Sequence, residues 1–382
     1  MKKLALLMTP LLVLSLILGA VACGGDEATP APTTAPTAAP TAAPTAAPTA
    51  APTAGPTAAP TAPPAGSLSP IPGGPVTWSL GHGFPNTGVR GRAALKFEEL
   101  VEEYSDGQIQ IDVYPNGTLF GSSGSLQACI TGSLDIAWEA PYYYGSVAPW
   151  LYVCYLTGIW TNYEQMRNVF LSDTWRAKAD STLGEVGVHY IGSIPDSMLT
   201  AYVSNAVKTT DIRDFDGLKF GLRTGAAPVP ISTLAGFVQV SVPNAEMFTA
   251  LQQGVIDVAA TGLPQAISLK TYEVAKYIHI TLVGASATTP IMNEQVWDAL
   301  PTEYQDLITD VVWPEVFDFT DEAMRQAEID LIVECEEKFE YVYVDTPEQM
   351  ADYWTVIEGL DITATYLGMA GDDIIDLIKF HQ

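Results

Sequence analysis

The folded part of the chain is predicted to be a two-lobe α/β structure, on three observations. Residues 211–262 alternate β-rich and helical runs: a strand over Leu218–Leu222 leading to Arg223 and Gly225, a second over Phe237–Val242, a helical stretch opened by Asn244 and closed by Gly254, and a third strand over Val255–Ala259. The resulting order of strand, helix, strand, helix, strand builds a mainly parallel sheet, and Asn and Gly mark the helix ends. A ten-residue pattern, A-x-x-x-G-x-[IL]-D-[IV]-A, occurs twice, from Ala128 through Ala137 and from Ala250 through Ala259. A helix, a glycine stop and a buried strand repeated in each half predict two similar lobes. Finally, the stretch from about Pro75 to Gln382 has the length and the apolar content for two domains.

What precedes residue 75 reads differently. Lys2 and Lys3 are followed by an apolar run from Leu4 to Val21, the pattern of a secretion signal over residues 1–22. Ala20-Val21-Ala22-Cys23 resembles the lipobox of bacterial lipoproteins, departing from it at Ala20, where Leu is usual. The resemblance implies acylation of Cys23 and anchoring to the outer face of the cell membrane; the alternative is plain secretion after cleavage at a small-residue site. From Thr29 to Pro64 the chain repeats Ala, Pro and Thr without a charge or a large apolar residue. Such a segment cannot build a core, and at about 3.1 Å per residue it could reach on the order of 100 Å. Residues 23–74 are read as a stalk.

Charge excludes some partners. With 17 basic and 44 acidic residues the formal charge is -27, a field that repels nucleic acid and anionic lipid surfaces. An acidic ligand needs a local basic site. Cys129, Cys154 and Cys335 are an odd set without metal spacing, compatible with one disulfide or with three buried thiols. No enzyme motif is found: Gly121–Ser125 fails the G-x-S-x-G pattern at its last position, the four histidines form no metal spacing, and there is no phosphate loop. No cofactor or metal is therefore expected.

In the first half, Val76–Leu80 reads as a strand, followed by a loop over Gly81–Gly88 carrying His82 and Asn86, then a helix through Tyr104. Ala93, Phe97, Leu100, Val101 and Tyr104 share one face of that helix, Gly107 stops it, and Ile109, Ile111 and Val113 alternate as a second strand. His82 is either a ligand contact or a loop residue. Trp138, Glu139, Tyr142 and Tyr143 follow the first repeat strand, Thr261 and Gln265 the second. Related sheets place these strand ends across a cleft, where ligands bind. Glu139 could accept bonds from a ligand's hydroxyl or amino groups; the tyrosines are either cleft lining or core. Arg223 can hold a carboxylate through two parallel bonds, or it is a surface arginine.

Leu199–Val203 and a stretch near Ala285–Met292 are expected to cross between the lobes as hinge strands. The predicted lobes are 75–199 with 288–328, and 200–287 with 329–382. Pro301–Glu340 is helical in pattern, with Pro314 expected to bend or break it. Tyr341–Val344 is a short strand, and helices around Pro347–Leu360 and Ala370–Phe380 follow.

Five stretches in this order and spacing resemble the DctP-type extracytoplasmic receptors of tripartite ATP-independent periplasmic (TRAP) transporters: FEELVEEYSDGQIQIDVYPNGTL from Phe97, GSLDIAW from Gly132, SNAVKTTDIRDFDGLKF from Ser204, ALQQGVIDVA from Ala250 and NEQVWDALPTEYQDLI from Asn293. The resemblance implies a periplasmic-binding-protein-like fold with a long helix spanning both lobes. It also implies hinge closure, and delivery of an organic acid to a membrane permease. The family's carboxylate-clamping arginine usually stands where this chain has Gly221, and the role is carried to Arg223. Thr200 or its neighbours stand where some members add a second arginine, so a monocarboxylate is expected. The other reading of a two-lobe binding lipoprotein, a component of an ABC importer or a ligand-sensing receptor, shares the same physics.

Overall fold

A computed structural model describes residues 68–156, 158–223, 230–243 and 246–381, the side chains of Arg223, Pro230, Ser232 and residues 283–286 excepted. The signal, Cys23, the stalk up to residue 67, Thr224, Gly225 and Asn244 lie outside the described residues; the last residues assigned to the stalk belong to the folded part, where Ile71 is buried in the core and Ser69 N–H donates to Glu303 at 3.0 Å.

The chain opens with β1 (Val76–Gly81), α1 (Val89–Tyr104), β2 (Ile109–Tyr114), α2 (Ser122–Ile130) and β3 (Ile136–Glu139). Next come α3 (Tyr163–Phe170), α4 (Asp173–Gly184), β4 (Val188–Tyr190) and the long β5 (Ile194–Ser204). The opening order then returns as β6 (Lys219–Arg223), α5 (Pro230–Ala235), β7 (Val238–Val242), α6 (Met247–Gln252) and β8 (Val258–Gly262). After α7 (Leu263–Ser268), the 17-residue β9 (Tyr277–Asn293) leads through α8 (Glu294–Asp298) and α9 (Thr302–Asp306) to the 26-residue α10 (Trp313–Lys338). The chain closes with β10 (Tyr341–Val344), α11 (Pro347–Ile357), α12 (Asp361–Ala370) and α13 (Asp372–Phe380).

Strand order makes the repeat visible. The sheet runs β2-β1-β3-β9-β5-β8-β6-β7, so each half is a parallel 2-1-3 set flanked by one antiparallel long strand. The two long strands pair with each other at the centre. The repeat motif explains the likeness residue by residue. Gly132 and Gly254 take φ of +70° and +68°, which closes each helix. The next two amides then bond back to one helix carbonyl: Ser133 and Leu134 to Ala128 O, Val255 and Ile256 to Ala250 O. That use of residues 255 and 256 is why the third strand begins at Val258 rather than at the predicted Val255.

The repeated aspartate then ties its strand to the neighbour. Asp135 Oδ2 accepts the Ser79 N–H at 2.7 Å and the Ser79 hydroxyl at 2.8 Å, and Asp257 Oδ2 accepts the Lys219 N–H at 2.9 Å. Removing a carboxylate that satisfies a half-buried strand amide costs about 2 kcal/mol. Asp135→Ala is expected to lower unfolding free energy in urea by that amount, and Asp135→Asn, which keeps one acceptor, by about half. An Ala variant as stable as wild type would rule out this role.

Helix α10 joins the two groups. Val316, Phe317 and Met324 lie in the core built on β1, β3 and α1, and Cys335 in the core against β5 and β9. Pro314 does not break it: a π-helical turn over Leu307–Val312 precedes α10, and Pro314 sits in the first α-turn, where no amide is needed. The C-terminus corrects one expectation. Ala370, Ile374 and Ile378 pack into the same core as Trp150 and Trp175, so the last helices return to the first group of strands rather than staying with the second. α13 is the helix expected around Ala370–Phe380, and Gly371, at φ +86°, separates it from α12, which was not expected from the sequence. Cys129, Cys154 and Cys335 are buried free thiols, and burial pushes the Cys129 and Cys335 thiols up to about 12. Among the described residues no helix is long and apolar enough to cross a membrane.

Candidate functional site

β1 and β3 run in one sense and β6 and β8 in the opposite one, because β3 with β9, β9 with β5 and β5 with β8 all pair antiparallel, and the carboxyl ends of both sets bear the polar residues picked out from the sequence. Gly81 is paired with Ala137 and Gly221 with Ala259, so the two halves superpose position by position. Under that correspondence Thr261 is the counterpart of Glu139, and Arg223 of Gly83.

Around Glu139 the structure brings several of these residues together. Oε1 accepts the Gly83 N–H at 2.9 Å, and Oε2 is buried without a hydrogen-bond partner. Burial pushes the Glu139 carboxyl up to about 7, against the opposing pull of Ser122, the Gly83 amide and the Arg90 charge. His82 is fully buried, and its Nδ1 accepts the Phe84 N–H at 3.3 Å. A neutral imidazole that accepts there carries its proton on Nε2, and that atom has no partner. Burial lowers the His82 pKa to about 4, against weaker support from the Phe84 backbone and the Asn86 side chain. Asn86 Oδ1 is likewise buried and unpartnered.

Across the sheet, Thr261 is the penultimate residue of β8, 4% exposed with Oγ1 unpartnered; it pairs in register with Ala201 of β5, not with the Glu139 cluster. Arg223 is the last residue of β6, opposite Val242. Tyr142 packs against Tyr143 with ring centroids 4.3 Å apart and planes tilted by 41°, and meets Tyr155 at 5.9 Å. Trp138 goes elsewhere: its ring is fully buried among Phe97 and Trp313, in the core.

Gly221 has a packing reason. A Cβ there would meet Ile256 Cδ1 at 2.5 Å and Met247 Sδ at 3.1 Å, so this position is filled by the core between α6 and β8 and has no room for arginine.

A cavity of about 560 Å³ opens between the loop after β1 and the start of α7, with Pro85, Thr87 and Arg90 on one side, Gln265 and Ser268 on the other, and α10 behind. Arg90 and Asp196 line it and form an ion pair, with the guanidinium 4.5 Å from the Phe84 ring centroid. Asp196 sits where the pairing of β5 with β9 is irregular, and α10 supports that irregularity: Glu328 accepts the Ser197 hydroxyl at 2.8 Å and the Met198 N–H at 2.9 Å. Burial pushes the Glu328 carboxyl up. Sequence reading missed Arg90, Asp196 and Glu328. The available signal was a carboxylate inside the apolar run of β5, and a glutamate at a core-facing position of α10.

The model of the bacterial extracellular solute-binding proteins, family 7 (DctP), matches residues 80–358. The chain belongs to this family. Its members are solute-binding receptors rather than enzymes. This receptor is 25% identical over 239 residues to the C4-dicarboxylate-binding periplasmic protein DctP of Rhodobacter capsulatus, a match covering 60% of this chain and 68% of that one. It is 25% identical over 312 residues to the ectoine/5-hydroxyectoine-binding periplasmic protein UehA of Ruegeria pomeroyi, covering 79% and 88%. A crystal structure of a TRAP periplasmic solute-binding protein from Ochrobactrum anthropi has the same fold, with a TM-score of 0.72 at 21% identity over 80% of this chain and 94% of that one. The two-lobe architecture and the TRAP receptor class follow.

Proposed function

We infer that the receptor captures a small organic acid with one carboxylate in the cleft at these strand ends and delivers it to a TRAP permease. The observation that carries this reading is the set of buried polar atoms without partners on His82, Asn86, Glu139 and Thr261. Buried polar groups are otherwise almost always paired, so they are the groups a ligand would satisfy. Arg223 clamps the carboxylate through a bidentate pair. The other end of the ligand brings a hydroxyl or amine to Glu139, with His82, Asn86 and Tyr142 beside it and Thr261 from the second half. One carboxylate is preferred because Thr200 stands where some family members carry a second arginine, and Asp196 takes up the charge of Arg90. Relatives are named for C4-dicarboxylates and for ectoine, which supports the small-organic-acid class, while the preference for one carboxylate rests on the residues of this chain.

Capture closes the lobes about β5 and β9. Lobe I is 75–199 with 288–328, joined by the last helices; lobe II is 200–287 with the chain from 329 to α11. Residues 1–22 are removed as a signal, Cys23 is acylated, and residues 23–67 hold the receptor off the membrane while leaving it near its permease.

A thermal-shift screen of organic acids tests the ligand class. Micromolar affinity corresponds to about -8 kcal/mol, within reach of one bidentate pair plus buried ligand surface. At a hundredfold excess over Kd the melting temperature should rise by roughly 5 °C, and Arg223→Ala should abolish the rise. If no acid stabilises wild type, or if the alanine variant responds as strongly, the carboxylate clamp is wrong.

A further inference from the structure

Arg90 stands in the first turn of α1, directly after the loop that carries His82 and Asn86. Asp196 Oδ1 accepts its Nε–H, at the stem end of the guanidinium, and one face lies over the Phe84 ring. The two Nη nitrogens form the opposite edge of this planar fork. The side chain keeps 22% of its surface exposed and lines the cavity of about 560 Å³, so that edge is the part of Arg90 left to meet a ligand.

Charge and donor chemistry narrow what it can meet. Arg90 and Arg92 share the cavity wall with Asp196, Glu328 and Asp330, a balance that does not favour a second anion beside the one held by Arg223. An uncharged oxygen suits the Nη edge better. The Arg90 charge also reaches Glu139, where it opposes the upward push of burial. An ammonium brought to Glu139 would therefore stand near a second cation, which repels it. A hydroxyl in that place can donate to Glu139 and offers its lone pairs to a guanidinium N–H. A bare methylene satisfies neither group. We propose that Arg90, positioned by Asp196, is a specificity-determining residue of the cleft, selecting acids that carry a hydroxyl over the matching amino acids and unsubstituted acids. The inference rests on the reading that the cleft holds an organic acid through Arg223.

The probes are matched sets titrated calorimetrically into the full chain: lactate, alanine and propionate; 3-hydroxybutyrate, 3-aminobutyrate and butyrate; 2-hydroxy-4-methylpentanoate, leucine and 4-methylpentanoate. In the set that binds best, the hydroxy acid should bind at least tenfold tighter than either partner. Arg90→Gln combined with Asp196→Asn, which leaves no lone buried charge, should bring both ratios below threefold. Should that chain fail to fold, Arg90→Lys decides: it keeps the charge opposite Asp196 but not the two-nitrogen edge, and the ratio of hydroxy to unsubstituted acid should again fall below threefold. Arg223→Ala should instead weaken all three members together and leave the ratios standing. An amino or unsubstituted acid that matches the hydroxy acid in wild type, or wild-type ratios in the folded Arg90 variants, overturns the role of Arg90 while the acid reading stands. Absence of binding by every member overturns both.

Discussion

Truncating Trp138 to alanine is expected to cost about 4 kcal/mol of folding stability. The indole is fully buried and closes an aromatic triangle, with ring centroids 5.7 Å from Phe97, 5.8 Å from Trp313, and 6.3 Å between those two. Those rings belong to β3, α1 and the first turn of α10, so the cavity left behind would sit where three elements meet. A close-packed interior relaxes only partly around such a loss. Because Trp138 Nε1 has no hydrogen-bond partner, Trp138→Phe forfeits no bond and should recover most of the loss. Urea denaturation should show a lower midpoint at unchanged slope for the alanine variant. If instead stability holds and acid binding falls, Trp138 belongs to the cleft and the core assignment fails.

Trp138 also shows what the sequence could not resolve. In the run IAWE all four residues are buried, so alternation says that Trp138 and Glu139 face opposite sides without saying which side is core. The repeat was legible because each of its residues has a local job: the glycine's positive φ, the aspartate's bond to the neighbouring strand, the small alanine in the ladder. Arg90 and Asp196 were not legible, because they meet across 106 residues and neither has a local pattern. The stretch carrying α3 and α4 was also left unassigned; its aromatic packing of Trp150, Trp160, Phe170 and Trp175 is tertiary. The gap at Gly221 became intelligible only once Ile256 and Met247 were seen to fill it.

The remaining large effect is on pH dependence, where Glu139 and His82 act in opposite directions. The Glu139 carboxyl is raised from 4.5 to about 7, so below pH 4.5 folded and unfolded chains are both protonated there and the residue contributes no pH dependence. As pH rises from 4.5 to 7 the unfolded chain ionises first, and the folded state loses about 3 kcal/mol relative to it. His82 is lowered from 6.5 to about 4, so its effect is absent above pH 6.5. As pH falls from 6.5 to 4 the unfolded chain takes up the proton first, and the folded state again loses about 3 kcal/mol. Other groups titrate in the same range, His189 among them with its pKa lowered by burial to about 3, so the measurement is a difference between variants. Glu139→Gln keeps an acceptor for the Gly83 amide and should gain stability on wild type steadily from pH 4.5 to 7, with no change below. His82→Gln should gain on wild type only as pH drops below 6.5. Urea unfolding at half-unit pH steps reads both, and a Glu139→Gln curve running parallel to wild type across pH 4.5 to 7 would mean that Glu139 is ionised at neutral pH. That outcome bears on the ligand: a carboxyl that titrates near 7 can donate to a ligand oxygen when protonated or accept from an amine when ionised, whereas one fixed as an anion can only accept.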